Sequence, residues 1–553
     1  MRKFSLIILA IMVSLATLFS AVGCAPKSQR EIELERYEVL RMSEQKRAAL
    51  PADVIATVDA YNNKQYYEAA AGFSAILDNP SYRALHQTGR YYLTECFDRL
   101  GMSQAAMFEL AQILFLGSEG NIYFTASLTK LLALTKETKD ESIIFNVLQT
   151  IPFDQFPLKF KNELIYMRGK QLFYDGNYEG SLTQFAQVDE KSAFFAKSLY
   201  FSGIIQVIRK EYSAAKRTFD KIKDLPETYS DFGEARKVKE MSKLALGQLF
   251  YKAGFEAKRD KYAIISKAFD YYDDVDREND QWFEALFEKT WASALLDHYN
   301  TALGTILTLN SPFFAQEFVP ETTLVEAITW YRLCKWAEVR DTVQRFKENY
   351  EPMARAVAVY LGKNIKTPGA KVYDDMLAQY ERRLNDEEAE LPLPVLTAAL
   401  NNDSKFLAVY MAVEELQREL ELLEKAPEDF RSNKYMTRFK MQSGKKLTNL
   451  KKRGGNMALN TMDRIGKMLK SLLGNANAID FELTDSERKH LEKIELFGIS
   501  EAEYRAEKAA LEDENYTGAV ADGEVYWPFI GEYWKDELGY YYYSVSDECV
   551  AAE

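Results

Sequence analysis

His86, His298 and His490 are the only imidazoles in 553 residues, and none stands in a spacing that does chemistry. There is no HExxH pair, and no histidine and cysteine share a ligand-type spacing, so a zinc site is not expected. Gly498-Ile499-Ser500 begins like a nucleophile elbow, but Ala502 replaces the glycine that closes that template. Ser443-Gly444-Lys445-Lys446 is a fragment of a phosphate loop without its leading glycine. The acidic run "YYDDVDREND" (271–280) holds carboxylates enough for acid–base work, but reads as a polar loop between helices. No catalytic residue, metal or cofactor is expected, and His86 and His298 read as packing or surface residues.

One cysteine has a chemical context. Met1-Arg2-Lys3 precedes an uncharged run from Phe4 to Phe19, the order of a secretory leader. The run is at or just under the roughly 20 apolar residues that a membrane span needs. Ala21-Val22-Gly23-Cys24 resembles the lipobox of bacterial lipoproteins, with Ala21 where that family usually has leucine. The resemblance implies that residues 1–23 are removed and that Cys24 is acylated. An ordinary signal peptide or an uncleaved anchor is the competing reading. Ala25 is not the aspartate that retains enterobacterial lipoproteins on the inner membrane, which implies the periplasmic face of the outer membrane. Each buried CH₂ of an acyl chain contributes about 0.8 kcal/mol, so several chains would hold the protein without a span.

The chain beyond Cys24 is too long for one compact core. A net charge of −13 argues against nucleic acid as a partner. Cys96, Cys334 and Cys549 lack metal-type spacing; in an oxidising compartment one pair can bridge, with Cys334 and Cys549 the candidates. Abundant Tyr and Phe (34 and 33) beside few Gly and Pro (26 and 14) point to packed helices rather than strands.

The elements appear when "RGKQLFYDGNYEGSLTQFAQV" (168–188) is laid on "SGIIQVIRKEYSAAKRTFDKI" (202–222). A shift of 34 residues superposes Gly169 on Gly203, Tyr178 on Tyr212, Ser181 on Ala215 and Phe185 on Phe219. That period with a helix–turn–helix pattern resembles tetratricopeptide (TPR) repeats. The small residue lets the first helix approach the second, the tyrosine covers the turn, Ser181 or Ala215 marks the crossing, and the phenylalanine follows one turn later. Ala69 and Phe73, Ala105, Tyr299 and Ala302, and Trp336 mark looser units. About eight candidate pairs lie between residues 50 and 350, above the roughly three that a solenoid needs.

Beyond residue 351 the pattern changes. Phe406, Val409, Val413, Leu416, Leu420 and Leu423 alternate by three and four, a coiled-coil seam. Residues 431–470 carry twelve Lys or Arg and one acid, Asp463. Met462, Ile465, Leu469 and Leu472 resume the seam there, so the basic stretch is expected to fold back as a helix, weakened at Gly454-Gly455. A further helix is expected over 484–511. The basic residues, among them Lys445, Lys446, Lys451, Lys452 and Arg453, read either as a solvated face balanced by the glutamates of 414–424 or as a docking surface for an anionic partner. The tail "VYWPFIGEYWKDELGYYYYSVSDEC" (525–549) is too aromatic for a linker. It reads as a cap on the last helices or, through Trp527 and Trp534, as a contact surface.

The expected organisation is a leader (1–23), a linker (24–50), a TPR-like solenoid (51–350), connecting helices (351–400), a helical hairpin or small bundle (401–511) and the aromatic tail (512–553). The fold class is all-α. The acylated cysteine, the degenerate helix pairs, "TLNSPFF", "YRLCKW", the basic helical segment and "WPFIGEYWKDELGYY" together resemble TPR lipoproteins of gliding and predatory bacteria, a group that includes an outer-membrane component of a gliding-motility machinery. The resemblance implies a non-catalytic envelope scaffold whose partners are periplasmic or outer-membrane proteins. The alternatives are a cell-wall-associated module acting through the basic region and an enzyme with an unrecognised site.

Overall fold

The computed structural model describes residues 50–226, 232–401, 403–497 and 529–546. The leader, Cys24, Gly498 to Ala502, residues 498–511 of the last expected helix, Trp527 and Cys549 lie outside the described residues, as does the side chain of His490. Among the described residues the secondary structure is α-helix with short 3₁₀ turns and no strand. No described helix is long and apolar enough to cross a membrane.

The chain forms two compact units, Met1–Phe156 with Arg418–Lys440, and Pro157–Gln417 with Met441–Glu553. The division falls inside the segment 51–350 that the sequence reads as one array. Pro152 and Pro157, each followed by a single 3₁₀ turn, interrupt the helices there.

In the first unit the helices are α1 (Ala52–Asn62), α2 (Tyr66–Asp78), α3 (His86–Arg99), α4 (Ser103–Leu114), α5 (Phe124–Thr138) and α6 (Ser142–Thr150). The second contains α7 (Lys161–Tyr174), α8 (Tyr178–Phe185), α9 (Phe195–Ile208), α10 (Tyr212–Lys223), α11 (Phe232–Glu256) and α12 (Lys261–Asp273). It continues through α13 (Trp282–Leu295), α14 (Tyr299–Leu309), α15 (Glu321–Arg332), α16 (Trp336–Asn364), α17 (Gly369–Leu384) and α18 (Leu393–Leu400). Then follow α19 (Ser404–Lys425), α20 (Glu428–Arg431) and α21 (Lys434–Phe497), of which residues 418–440 belong to the first unit. Within each unit successive helices of the pairs pack on one another.

One turn joins six of these pairs. A residue with left-handed backbone stands two positions before the second helix: Lys64, Gly101, Gly176, Lys210, Asp297 and Cys334. The amide after it donates back across the turn, as Asn177 to the Leu172 carbonyl and Glu211 to the Gln206 carbonyl, both 2.8–2.9 Å. This satisfies a carbonyl the first helix leaves open. Only two of the six positions are glycine, and a side chain there costs roughly 1–2 kcal/mol. Lys210→Gly should therefore raise stability, by up to about 1 kcal/mol after the entropy of the freer unfolded chain is charged against it; urea unfolding checks this.

In the first unit the returning segment 418–440 supplies polar contacts that the local sequence does not announce. Glu419 is fully buried and its carboxylate accepts the backbone amides of Gln104 and Ala105, capping α4 where an Asp or Ser would ordinarily stand. Glu109, also buried, accepts from Arg90 Nη1 at 2.6 Å and from the Tyr435 hydroxyl at 2.5 Å. Phe430 packs against Tyr67, and Tyr435 stacks on Phe97.

In the second unit the expected seam is buried: Phe406, Val409, Val413 and Leu416 on α19, and Met462, Ile465, Leu469 and Leu472 on α21. Lys347 pairs with Asp480 at 2.8 Å and Arg340 with Glu487 at 2.6 Å, so α21 runs antiparallel to α16. The glycine pair expected to weaken α21 sits inside one continuous helix. A Cβ on Gly455 would meet the Gly369 carbonyl oxygen at 1.8 Å, and one on Gly454 the Tyr373 ring at 2.7 Å. The glycines are contact points between helices, and packing outweighs their roughly 1 kcal/mol propensity cost. Residues 484–497 continue the same helix rather than starting another.

The described part of the tail, 529–546, crosses α14 as an irregular strap with a turn at 535–539. Gly539 N donates to Thr308 Oγ1 at 3.0 Å, Val545 N to Asn300 Oδ1 at 3.0 Å, and Asn300 Nδ2 to the Val545 carbonyl at 3.3 Å. Arg277 lies over both the Trp282 and Tyr540 rings, and Trp330 meets Tyr543 edge-on. A Cβ on Gly304 would fall 1.9 Å from the Tyr541 carbonyl oxygen, a backbone atom that no rotamer change can move. Gly304→Val should release the strap and expose residues 529–546 to protease while α14 stays helical; limited proteolysis reads this out.

Candidate functional site

The residues singled out for packing fall on paired helices and at the turns between them. Gly169 faces Phe185 and Gly203 faces Phe219, with a Cβ on either glycine coming within 2.5–2.6 Å of the ring. Phe185, Phe219, Ser181, Ala215, Ala69, Phe73 and Ala302 are all buried. Ser181 Oγ donates to the Gly169 carbonyl at 2.8 Å, so the crossing of α7 and α8 is pinned by a hydrogen bond as well as by size. Tyr178, Tyr212, Tyr299 and Trp336 open the second helices and are half-buried at the turns. Tyr178 meets Phe173 at 5.9 Å, Lys252 lies 5.4 Å from the Tyr212 ring, and Trp336 meets Tyr331 at 5.5 Å.

The first helices of the pairs carry side chains this packing does not consume. Tyr174 on α7 and Ile208 on α9 are about half exposed, at 51% and 47%, and lie 34 residues apart. Each ends the first helix of its pair, and exposed apolar residues of this kind are surface that apolar or aromatic groups of a partner can cover. Lys405 lies 6.0 Å from the Tyr174 ring and covers part of it.

The basic stretch is divided by its structure. Lys451 pairs with Asp374 at 2.8 Å and sits beside Tyr373; Lys440 pairs with Glu424, and Lys467 with Asp463 at 2.7 Å. The acids that balance it come from several elements rather than from 414–424 alone. Lys445, Lys452 and Arg453 are exposed, Lys446 is half-buried, and the spacing places 445, 452 and 453 on one stripe of α21.

On the strap, Phe529, Ile530, Trp534, Tyr540 and Tyr542 are exposed, Trp534 at 54%, while Leu538 is buried. The strap both covers α14 and presents apolar surface outward. Cys334, in the turn before α16, is disulfide-bonded; Cys549, the partner expected from the sequence, lies outside the described residues. Cys96 is free and buried, and burial pushes its thiol well above the usual range, which makes it inert. His86 bonds the Asn79 carbonyl at 3.1 Å, and His298 stands exposed before α14. The run 271–280 splits between the end of α12 and a loop, where Asp276 and Asp280 pair with Arg236 and Lys237. Among the described residues no three His, Cys, Asp or Glu side chains are placed to hold a metal ion.

No protein-family model matches the chain, and a search of the curated proteins returns no match.

Proposed function

We propose that the protein is a non-catalytic scaffold of the bacterial cell envelope that holds protein partners on the first helices of a TPR-like array. One observation carries the reading: the glycine–aromatic exchange at 169/185 recurs at 203/219, and the first helices between them leave Tyr174 and Ile208 open at equivalent positions. Successive pairs stack on one another, and such stacking makes an extended surface; the last pair also buries Leu324 and Val343 against Leu472 and Leu483 of α21. The Cys24 lipobox resemblance supplies the address, a lipid anchor at the periplasmic face of the outer membrane, and the likeness to TPR lipoproteins of gliding and predatory bacteria supplies the setting, an envelope or motility complex.

Affinity capture from detergent-solubilised envelopes tests the scaffold reading. Defined proteins at fixed stoichiometry are expected, and their absence overturns it. The exposed stripe of Lys445, Lys452 and Arg453 favours a second reading, a cell-wall-associated module. Sedimentation with purified wall, abolished by high salt and by replacing those three residues, would select it.

A further inference from the structure

The third glycine–aromatic exchange differs from the first two. Gly247 on α11 faces Tyr272 on α12, where the earlier pairs use Phe185 and Phe219; a Cβ on Gly247 would come within 2.3 Å of the ring. Packing accounts for the ring and not for its hydroxyl. Tyr272 is 2% exposed, and its hydroxyl makes no hydrogen bond of ordinary geometry among the described residues. It lies beside the carboxylate of Glu288 on α13, whose Oε1 takes a hydrogen bond from Gln248 Nε2 of α11 at 3.1 Å.

Glu288 has acidic company. Glu284 is one helical turn earlier on the same face of α13, and Glu321 opens α15, which packs on α13 as α13 packs on α11. Glu317, in the loop before α15, adds its charge to Glu284. Among the described residues Glu284, Glu288 and Glu321 have no ion pair, and the nearby Lys289 is tied to Asp273 instead. Desolvation holds all three carboxyls above the usual range, and neighbouring acids push Glu284 and Glu288 further. Glu284 is exposed to solvent, and Glu288 and Glu321 are half-buried, so all three can be reached from outside. Tyr251 on α11 lies near Glu288, its hydroxyl raised to about 12 by burial and by that carboxylate, whereas Trp291 on α13 lines a separate recess with Leu324 and Ile328 of α15 and Leu472 and Ile479 of α21.

We propose that α11, α13 and α15 form a binding site for a lysine- or arginine-bearing segment of a protein partner, its cation seated among Glu284, Glu288 and Glu321 and the Tyr272 hydroxyl. The occupant follows from charge complementarity: clustered carboxylates without a cation are satisfied by an incoming ammonium or guanidinium, to which the nearby Tyr251 ring adds a favourable face. The site rests on the reading of the first helices as a partner surface and gives that surface a chemistry.

The carboxylates are bound at a cost to folding. A carboxyl with a folded pKa above its unfolded value takes up more protons in the folded state, so stability falls as pH climbs through the raised value and is unaffected below the unfolded one. E284Q/E288Q/E321Q should therefore melt higher than the parent at neutral pH and equal to it near pH ~3.

The direct test is calorimetric titration of the full chain with an acetylated, amidated octalysine peptide. The triple variant should bind at least about tenfold more weakly. A charge-matched control at exposed glutamates elsewhere, E119Q/E387Q/E388Q, should change affinity less than about twofold, and Tyr272→Phe should weaken binding about two- to threefold without lowering the melting temperature. Equal losses in the triple variant and the control, or no binding by the parent, overturn the proposal. If that happens while envelope capture still returns defined proteins, the cation site falls and the scaffold reading stands; octalysine binding without captured proteins gives the reverse.

Discussion

Phe185→Ala is expected to destabilise the second unit by about 3–5 kcal/mol, the range for truncating a buried aromatic. Phe185 is 3% exposed and fills the space opposite Gly169, and its ring also stacks on Phe201 and touches Tyr166. Truncation removes the contact between α7 and α8 and the contact of α8 with α9 together. Collapse cannot repair the loss, because Gly169 has no side chain to extend into the cavity. The loss should appear as a lowered urea midpoint, with hydrogen exchange accelerated first across 161–208. An unchanged midpoint would contradict the packing described for these pairs.

Glu109→Ala should cost the first unit a similar amount, about 3–5 kcal/mol, by breaking a buried pair through one partner only. Desolvation is the largest influence on the Glu109 carboxyl and raises its pKa despite Arg90 and Tyr435, so the trio is not a large net source of stability. The cost arises because the Tyr435 hydroxyl proton loses its acceptor and the Arg90 guanidinium loses its counter-charge. Glu109→Gln, which still accepts from Tyr435, should cost less. Amide exchange in α4 and at 434–440 should rise by roughly two to four decades in the alanine variant. Little change there would mean that the returning segment is held by apolar contacts such as Phe430 with Tyr67 alone.

The all-helical, paired packing is legible because close contact leaves a local trace: a small residue, then a crossing residue, then an aromatic. The heptad seams of α19 and α21 were legible for the same reason. What local patterns could not supply were contacts across hundreds of residues. Glu419 caps a helix that begins at Ser103, and nothing near either position signals the other. The two-unit division therefore went unread, although Pro152 and Pro157 marked the place. Gly454-Gly455 was read by propensity when its meaning was a helix contact with Gly369. The left-handed turns at Lys210, Asp297 and Cys334 lack the glycine that would have announced them. Of the candidate site, Gly169 with Phe185 and Gly203 with Phe219 stand out in the sequence by their spacing. The cluster of Glu284, Glu288 and Glu321 was not, because its members belong to different pairs and meet only when α13 and α15 stack. Its one sequence signal was tyrosine at 272 where phenylalanine suffices.

The central claim is that partners dock on the first helices of the array. Site-specific photo-crosslinking in living cells addresses it most directly, with the reactive group placed at Tyr174 on α7 or Ile208 on α9 and, for contrast, at the exposed Arg217 on α10. The account predicts discrete adducts with one or a few proteins from Tyr174 and Ile208 and none from Arg217. Adducts of equal yield from all three positions, or none from any, would contradict it.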